Sequence, residues 1–261
     1  MAEVTSHPQG AFCWPELATT DQKAATQFYK TIFGWNVADQ PMGPGEVYSL
    51  LKVGDKDAAA AYTMRAEERQ AGLPPHWNAY ISVPNADAAA KRAEELGGKV
   101  IAKPFDVMEA GRMAIIQDPT GAYFQVWQKG KSAGAQVVRQ TGALCWTELT
   151  TGDTKSAERF YTQLLGWTPK HSTMPGMDYT EFLVDGTPQA GMMQTPKEMP
   201  NVPPNWLPYF QVDDVDATAS KAATAGAKTV VPPSDIPNTG RFSVLMDPQG
   251  AAFAVFKPSA Q

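Results

Sequence analysis

The sequence predicts an α+β fold made of one unit written twice in tandem, and three observations lead there. The segment Gly10-Ala-Phe-Cys-Trp-Pro-Glu16-Leu returns 132 positions later as Gly142-Ala-Leu-Cys-Trp-Thr-Glu148-Leu. The register then persists: Phe28-Tyr29 meets Phe160-Tyr161, and Gly34-Trp35 meets Gly166-Trp167. After a three-residue slip, which belongs in a loop, Pro74-Pro75-His76-Trp77 meets Pro203-Pro204-Asn205-Trp206, and Asp118-Pro-Thr-Gly121 meets Asp247-Pro-Gln-Gly250. Such in-register matches define the structural unit before any fold is assigned. Finally, each copy is itself two-part, a strand–helix–three-strand pattern that occurs twice.

Within the first copy, residues 11–17 alternate as a strand. Asp21 stands where it caps a helix whose Ala25, Phe28, Tyr29, Ile32 and Phe33 recur at helical spacing and which ends at Gly34. Strands follow at 35–38, 47–53 and 58–64. Pro74-Pro75 breaks the chain, and the order repeats: a strand at 78–83, an alanine-rich helix at 86–96 stopped by Gly97-Gly98, and strands at 99–102, 112–117 and 123–127. The Asp-Pro-x-Gly segment before the last strand has the residues a tight turn needs, in the right order. The small and polar segment from Lys129 to Ala135 reads as a linker. This gives a first domain at 1–129, a linker at 130–141 and a second domain at 142–261.

Composition narrows the function. At 43% hydrophobic and 19% charged the chain is globular. Its net charge of −5, with no lysine or arginine run, argues against a nucleic-acid binder. Residues 1–10 lack the apolar core of a signal peptide, and no stretch nears the roughly 18 apolar residues that span a bilayer. Two cysteines, Cys13 and Cys145, imply no disulfide framework. The expectation is a cytoplasmic protein with a small-molecule partner, neither nucleic acid nor membrane, working as a monomer or homodimer.

The pattern Asp21…Phe28-Tyr29…Phe33-Gly34-Trp35, with Asp118-Pro-Thr-Gly121…Gln125-Val-Trp127 and the equivalents in the second copy, resembles the vicinal oxygen chelate superfamily. That superfamily includes glyoxalase I, bleomycin-resistance proteins and extradiol dioxygenases. The likeness runs from Gly10 to Lys257 and is nearest to two-domain bacterial glyoxalase-like proteins, whose copies open on Trp-x-Glu-Leu. It implies four βαβββ units forming two curved-sheet cups, with function on their inner faces. It also implies where the family's metal ligands would fall: Trp14, Asn78 and Gln125 in one cup, Trp146, Leu207 and Ala254 in the other. Indole, amide and hydrocarbon are poor substitutes for imidazole and carboxylate. No cofactor is therefore expected, and a divalent metal is disfavoured.

Strand alternation puts Phe12, Trp14 and Glu16 on the cup face and Cys13, Pro15 and Leu17 on the other. Glu16 and Glu148, each beside a tryptophan, are candidate general acids or bases, because burial raises a carboxyl pKa. The alternative is a carboxylate that hydrogen-bonds backbone or arginine and closes the cup. His76 shares parity with Asn78 and Tyr80, and a local two-fold would bring it beside Glu16 as a dyad; otherwise it is a loop residue. The candidate ligand-binding set is Trp14, Asn78, Tyr80, Arg112, Gln125, Trp146, Tyr209 and Arg241. The two arginines bind an anionic group or else pair with a carboxylate such as Glu16 or Asp118.

The cysteines read as buried apolar residues rather than nucleophiles. Met174, Met177, Met192, Met193 and Met199 suit a variable apolar ligand or the core, and residues 40–45 and 174–178 are candidate lids. Four functions stay open: a metal-free binding protein, an acid–base enzyme using Glu16, a metal-dependent lyase or dioxygenase with unusual ligands, and a regulatory protein with vestigial cups.

Overall fold

The computed structural model describes residues 3–174, 177–197, 199 and 201–259. The first copy runs β1 (Phe12–Thr19), α1 (Gln22–Phe33), β2 (Asn36–Gly43), β3 (Glu46–Val53), β4 (Lys56–Thr63), α2 (Ala66–Gln70), β5 (His76–Ser82), α3 (Ala86–Glu95), β6 (Lys99–Val107), β7 (Gly111–Gln117) and β8 (Tyr123–Lys129). The second runs β9 (Leu144–Thr151), α4 (Thr154–Leu165), β10 (Thr168–Met174), β11 (Met177–Val184), β12 (Thr187–Gln194), β13 (Asn205–Gln211), α5 (Val215–Thr224), β14 (Lys228–Ile236), β15 (Gly240–Met246) and β16 (Ala252–Pro258). The helices start and stop as their sequences require. The Asp21 side chain accepts the Ala24 N–H, the Asp153 side chain accepts the Ser156 N–H, and Gly34 and Gly166 close their helices at φ 72° and 71°.

Each copy forms one eight-stranded sheet, in the order β2-β3-β4-β1-β5-β8-β7-β6 and, identically, β10-β11-β12-β9-β13-β16-β15-β14. The central pair β1–β5 is antiparallel, with each member flanked by a parallel strand, β4 or β8. The two units of a copy are thus related by a local two-fold, and each cup is built within one copy. Among the described residues, no helix is long and apolar enough to cross a membrane.

The cores, by contrast, lie between the copies. Phe28, Tyr29, Trp35 and Trp77 of the first copy pack with Phe210, Val215 and Phe253 of the second. Phe160, Tyr161, Trp167 and Trp206 of the second pack with Phe12, Ile81 and Phe124 of the first. Two reciprocal polar ties are buried in these cores. Tyr29 Oη donates to Asp247 Oδ2 at 3.0 Å, and Tyr161 Oη donates to Asp118 Oδ2 at 2.9 Å. Each tyrosine oxygen accepts an indole N–H, from Trp77 at 3.0 Å and Trp206 at 2.8 Å. Further out, Trp35 Nε1 donates to the Gly142 carbonyl and Trp167 Nε1 to the Gly10 carbonyl. Gly10, at φ 79°, admits this approach because a Cβ there would sit 2.8 Å from Trp167 Nε1.

Several expectations need correction. A β-bulge between Phe12 and Trp14 reverses the alternation at the start of β1. Phe12 therefore faces the inter-copy core, its ring 4.9 Å from Trp206, while Cys13 packs beside Tyr80, Met113 and Trp127 at the cup. An irregularity between Tyr209 and Phe210 accompanies the same arrangement in the second copy, where Cys145 lines the cup. The segment that joins the copies runs as a strap against the first: Ala135 N–H donates to the Cys13 carbonyl, Gln136 N–H to the Asp57 carbonyl, and Val137 is buried. Of the candidate lid at 40–45, residues 40–43 end β2 in pairing with β3, and Gln40, Pro41, Met42 and Gly45 line the cavity. The tip of the other proposed lid, Pro175-Gly176, lies outside the described residues, as do the side chains of Met174 and Met177. Met192 is core, whereas Met193 and Met199 line a cup.

Replacing Tyr29 or Tyr161 by Phe leaves a buried aspartate oxygen and an indole N–H without their partner. Each substitution should cost about 1–3 kcal/mol. Because the two ties sit in separate cores, the double variant should lose about the sum. Urea unfolding midpoints of the three variants against wild type measure this.

Candidate functional site

Glu16 sits near the middle of β1 with Asn78 directly across from it on β5, and Trp14 across from Tyr80. At 9% exposure its carboxylate is held by three donors: Tyr48 Oη at 2.6 Å, Tyr80 Oη at 2.8 Å and, more loosely, Asn78 Nδ2 at 3.4 Å. Tyr48 Oη in turn accepts the Trp14 indole N–H at 3.0 Å. Gln125 on β8 donates to Asn78 Oδ1 at 2.7 Å, which leaves Gln125 Oε1 buried without a partner. Asn78 also reaches Tyr62 Oη at 3.4 Å, and Tyr62 donates to Glu68 on α2 at 2.6 Å.

The second cup repeats the centre of this arrangement. Glu148 accepts Tyr179 Oη at 2.7 Å and Tyr209 Oη at 2.8 Å, and Trp146 donates to Tyr179 Oη at 3.0 Å. Gly191 makes room for the pair, since a Cβ there would lie only 1.8 Å from Tyr179 Oη. The rest is not repeated: Leu207 stands across from Glu148, and Ala254 takes the place of Gln125.

Electrostatically both glutamates are alike. Burial pushes each carboxyl above its ordinary 4.5, while the tyrosine hydroxyls pull it back down. In the first cup the positive charge of Arg65 also favours the ionised form. Burial raises Tyr48, Tyr80, Tyr179 and Tyr209 well above the phenol range, so they remain donors. The thiols stay protonated, with Cys13 pushed up by burial and Cys145 pushed up to about 12.

Trp14, Glu16, Asn78, Tyr80 and Gln125 are thus brought together, as are Trp146, Glu148 and Tyr209. His76 does not join them. It lies across from Ala18 rather than Glu16, and its Nδ1 is within hydrogen-bond distance of the Pro74 carbonyl at 2.8 Å. The dyad fails because the β1–β5 register sets Asn78, not His76, across from Glu16. Arg112 and Arg241 also lie elsewhere, though the alternative of carboxylate pairing holds with other partners than expected. Arg112 binds Asp87 and Asp106, and Arg241 binds Asp216 and Asp235, so neither guanidinium is available to a ligand in the cup. Tyr48, Tyr62 and Tyr179 were not singled out from the sequence. The signal for one pair was present, because Tyr48 and Tyr179 are matching residues of the repeat on β3 and β11.

A continuous open cavity of about 2940 Å³ reaches both glutamates. An ordinary ligand site is roughly 300–1,000 Å³, so this space is two cups joined along a seam rather than one pocket.

The model of the glyoxalase/bleomycin resistance protein/dioxygenase superfamily matches residues 11–126 and again 143–255. The chain belongs to this superfamily. Among its relatives, the Mycobacterium tuberculosis protein CFP32, provisionally named a glyoxylase, is 43% identical over 265 residues, covering 100% of both chains. The anthracycline biosynthesis protein DauV of Streptomyces sp. is 35% identical over 264 residues, covering 97% of this chain and 94% of that one. Among solved structures, the Mn(II)-bound glyoxalase of Novosphingobium aromaticivorans aligns with a TM-score of 0.65 at 14% identity, over 98% of this chain and 83% of its own. The 2,2',3-trihydroxybiphenyl 1,2-dioxygenase of Sphingomonas wittichii aligns at 0.66 and 13%, over 95% and 90%. At these identities the two structures speak for the fold of the superfamily alone.

Superfamily members that use a metal imply a divalent ion in the cup, but the donors here do not fit one. Where the resemblance places the ligands, the first cup has an indole and two amides beside one carboxylate whose oxygens are already held by Tyr48, Tyr80 and Asn78, and among the described residues no group of three or more His, Cys, Asp or Glu could hold a metal ion. Gln125 Oε1 is the one unengaged oxygen of that set, and a lone amide is a weak ligand. In the second cup Glu148 is likewise held by two tyrosines, and Leu207 and Ala254 stand in place of the two amides.

A carboxyl raised by folding fixes the sign of a pH effect. The unfolded chain releases these protons near 4.5 and the folded chain later, so stability falls as pH rises from about 4.5 through the folded value. The variant with both Glu16→Gln and Glu148→Gln should lack this decline. Its stability relative to wild type should therefore increase between pH 4.5 and 7.5, as read from urea midpoints at the two pH values.

Proposed function

We propose that the chain binds a small, partly aromatic organic molecule in its cups without a metal ion. The observation that carries this reading is the repeated cluster in which one tryptophan and two tyrosines surround a glutamate, buried in the first cup and half-buried in the second, that faces an open cavity. Aromatic walls bury a planar ligand, and a few converging polar groups fix its orientation. The relatives named for anthracycline biosynthesis agree with an aromatic ligand. Because each cup is complete within one copy, a single chain is sufficient to form both sites.

Titration calorimetry with 2-naphthol and related hydroxylated aromatics should show binding, and prior dialysis against a chelator should leave the affinity within about twofold. Affinity that disappears with chelation and returns with zinc, manganese or iron would overturn the metal-free reading.

The raised carboxyl of Glu16 favours a second reading, in which it transfers a proton to or from a bound carbonyl compound. Tyr48 and Tyr80 would then steady the charge that Glu16 carries when ionised. The Glu16→Gln substitution separates the two. Under proton transfer it should lower turnover by about 10²-fold or more with affinity largely kept. Under binding alone there is no turnover to lose.

A further inference from the structure

The two cups share their glutamate–tyrosine–tryptophan centre but differ at several polar places around it. Strand registers make the comparison strict. Asn78 lies across from Glu16 where Leu207 lies across from Glu148. Gln125 lies beside Tyr80 where Ala254 lies beside Tyr209. Tyr62 lies across from Tyr48 where Met193 lies across from Tyr179. At the far strands Tyr123 is matched by Ala252, and Gln117 by Met246.

These losses are not scattered. Gln125, Asn78, Tyr62 and Glu68 form one hydrogen-bonded chain along the first cup, and in the second cup the first three links are replaced together by hydrocarbon or thioether. Removing one member of such a chain strands its neighbours, and in the second cup the three are absent together. The second cup is not filled in by way of compensation. Leu207, Met193, Val244 and Phe256 line the open cavity and are only partly buried.

We infer that the cups are two separate sites for ligands of different polarity. The first takes an aromatic molecule carrying several hydroxyl or carbonyl groups. The second takes an apolar aromatic molecule that presents a single oxygen to Glu148 and its tyrosines. The inference rests on the proposed binding function and adds to it which ligand class each cup selects. The physical warrant is an asymmetry: a ligand hydroxyl set against Leu207 and Met193 loses water and gains no partner, whereas against Asn78 and Tyr62 it gains one.

The indole N–H groups of Trp14 and Trp146 report on the two cups separately, since each donates to the tyrosine beside its own glutamate. In ¹H–¹⁵N spectra of the full chain, with these two signals assigned through Trp14→Phe and Trp146→Phe, 2-naphthol and 2,7-dihydroxynaphthalene are the probes. Going from one hydroxyl to two should shift the preference toward the Trp14 signal over the Trp146 signal by about tenfold in dissociation constant. Asn78→Leu should remove most of that difference, and Leu207→Asn with Met193→Tyr should move it in the same direction from the other side. Equal response of both signals to the second hydroxyl in wild type would overturn the inference and leave the binding function standing. Absence of any shift at either indole with either probe would overturn both.

Discussion

A carboxylate at a turn of one copy accepting a phenol from a helix of the other is the constraint on which the rest of the molecule depends. Asp118 uses Oδ1 to take the N–H groups of Thr120, Gly121 and Ala122 and thereby shapes its own β7–β8 turn. Its other oxygen takes Tyr161 across the interface. Asp247 does the same for Gln249, Gly250 and Ala251 and for Tyr29. One side chain therefore sets a hairpin and fixes where the opposing helix lies. Buried polar groups of this kind stabilise only when each donor and acceptor is matched, so they favour one docking geometry over the many that apolar packing alone would allow.

This division of labour explains what could be read in the sequence. The repeated Phe-Tyr, Gly-Trp, Pro-Pro-x-Trp and Asp-Pro-x-Gly segments all lie where the copies meet, and they gave the repeat, the helices and the domain order. The caps at Asp21 and Gly34 set the bounds of α1 to within a residue. The bulge before Trp14 was not legible, because one extra residue in a ladder leaves no mark on composition while exchanging the faces of Phe12 and Cys13. Short, solvent-facing α2 was missed for a related reason: five residues carry too little periodicity to show.

At the site, the resemblance marked Trp14 and Asn78, and strand parity, which depends on the chain alone, added Glu16 and Tyr80. Parity failed for His76 because register across β1 and β5 depends on pairing, and a two-residue displacement along the strand keeps parity while changing the neighbour. Arg112 and Arg241 show the other limit. Each has two aspartates within reach in the fold, one of them 25 positions away, and no spacing rule announces such a pair.

The strap that carries the chain from one copy to the next has a consequence for symmetry. Two copies held by association alone would be products of the same sequence, and any change in one cup would appear in the other. Joined covalently, the halves meet at a high effective concentration set by the short connection. Each first half is then paired with a second half rather than with its own kind. One hollow can change its residues while the other keeps them, and the shared interface is untouched by either.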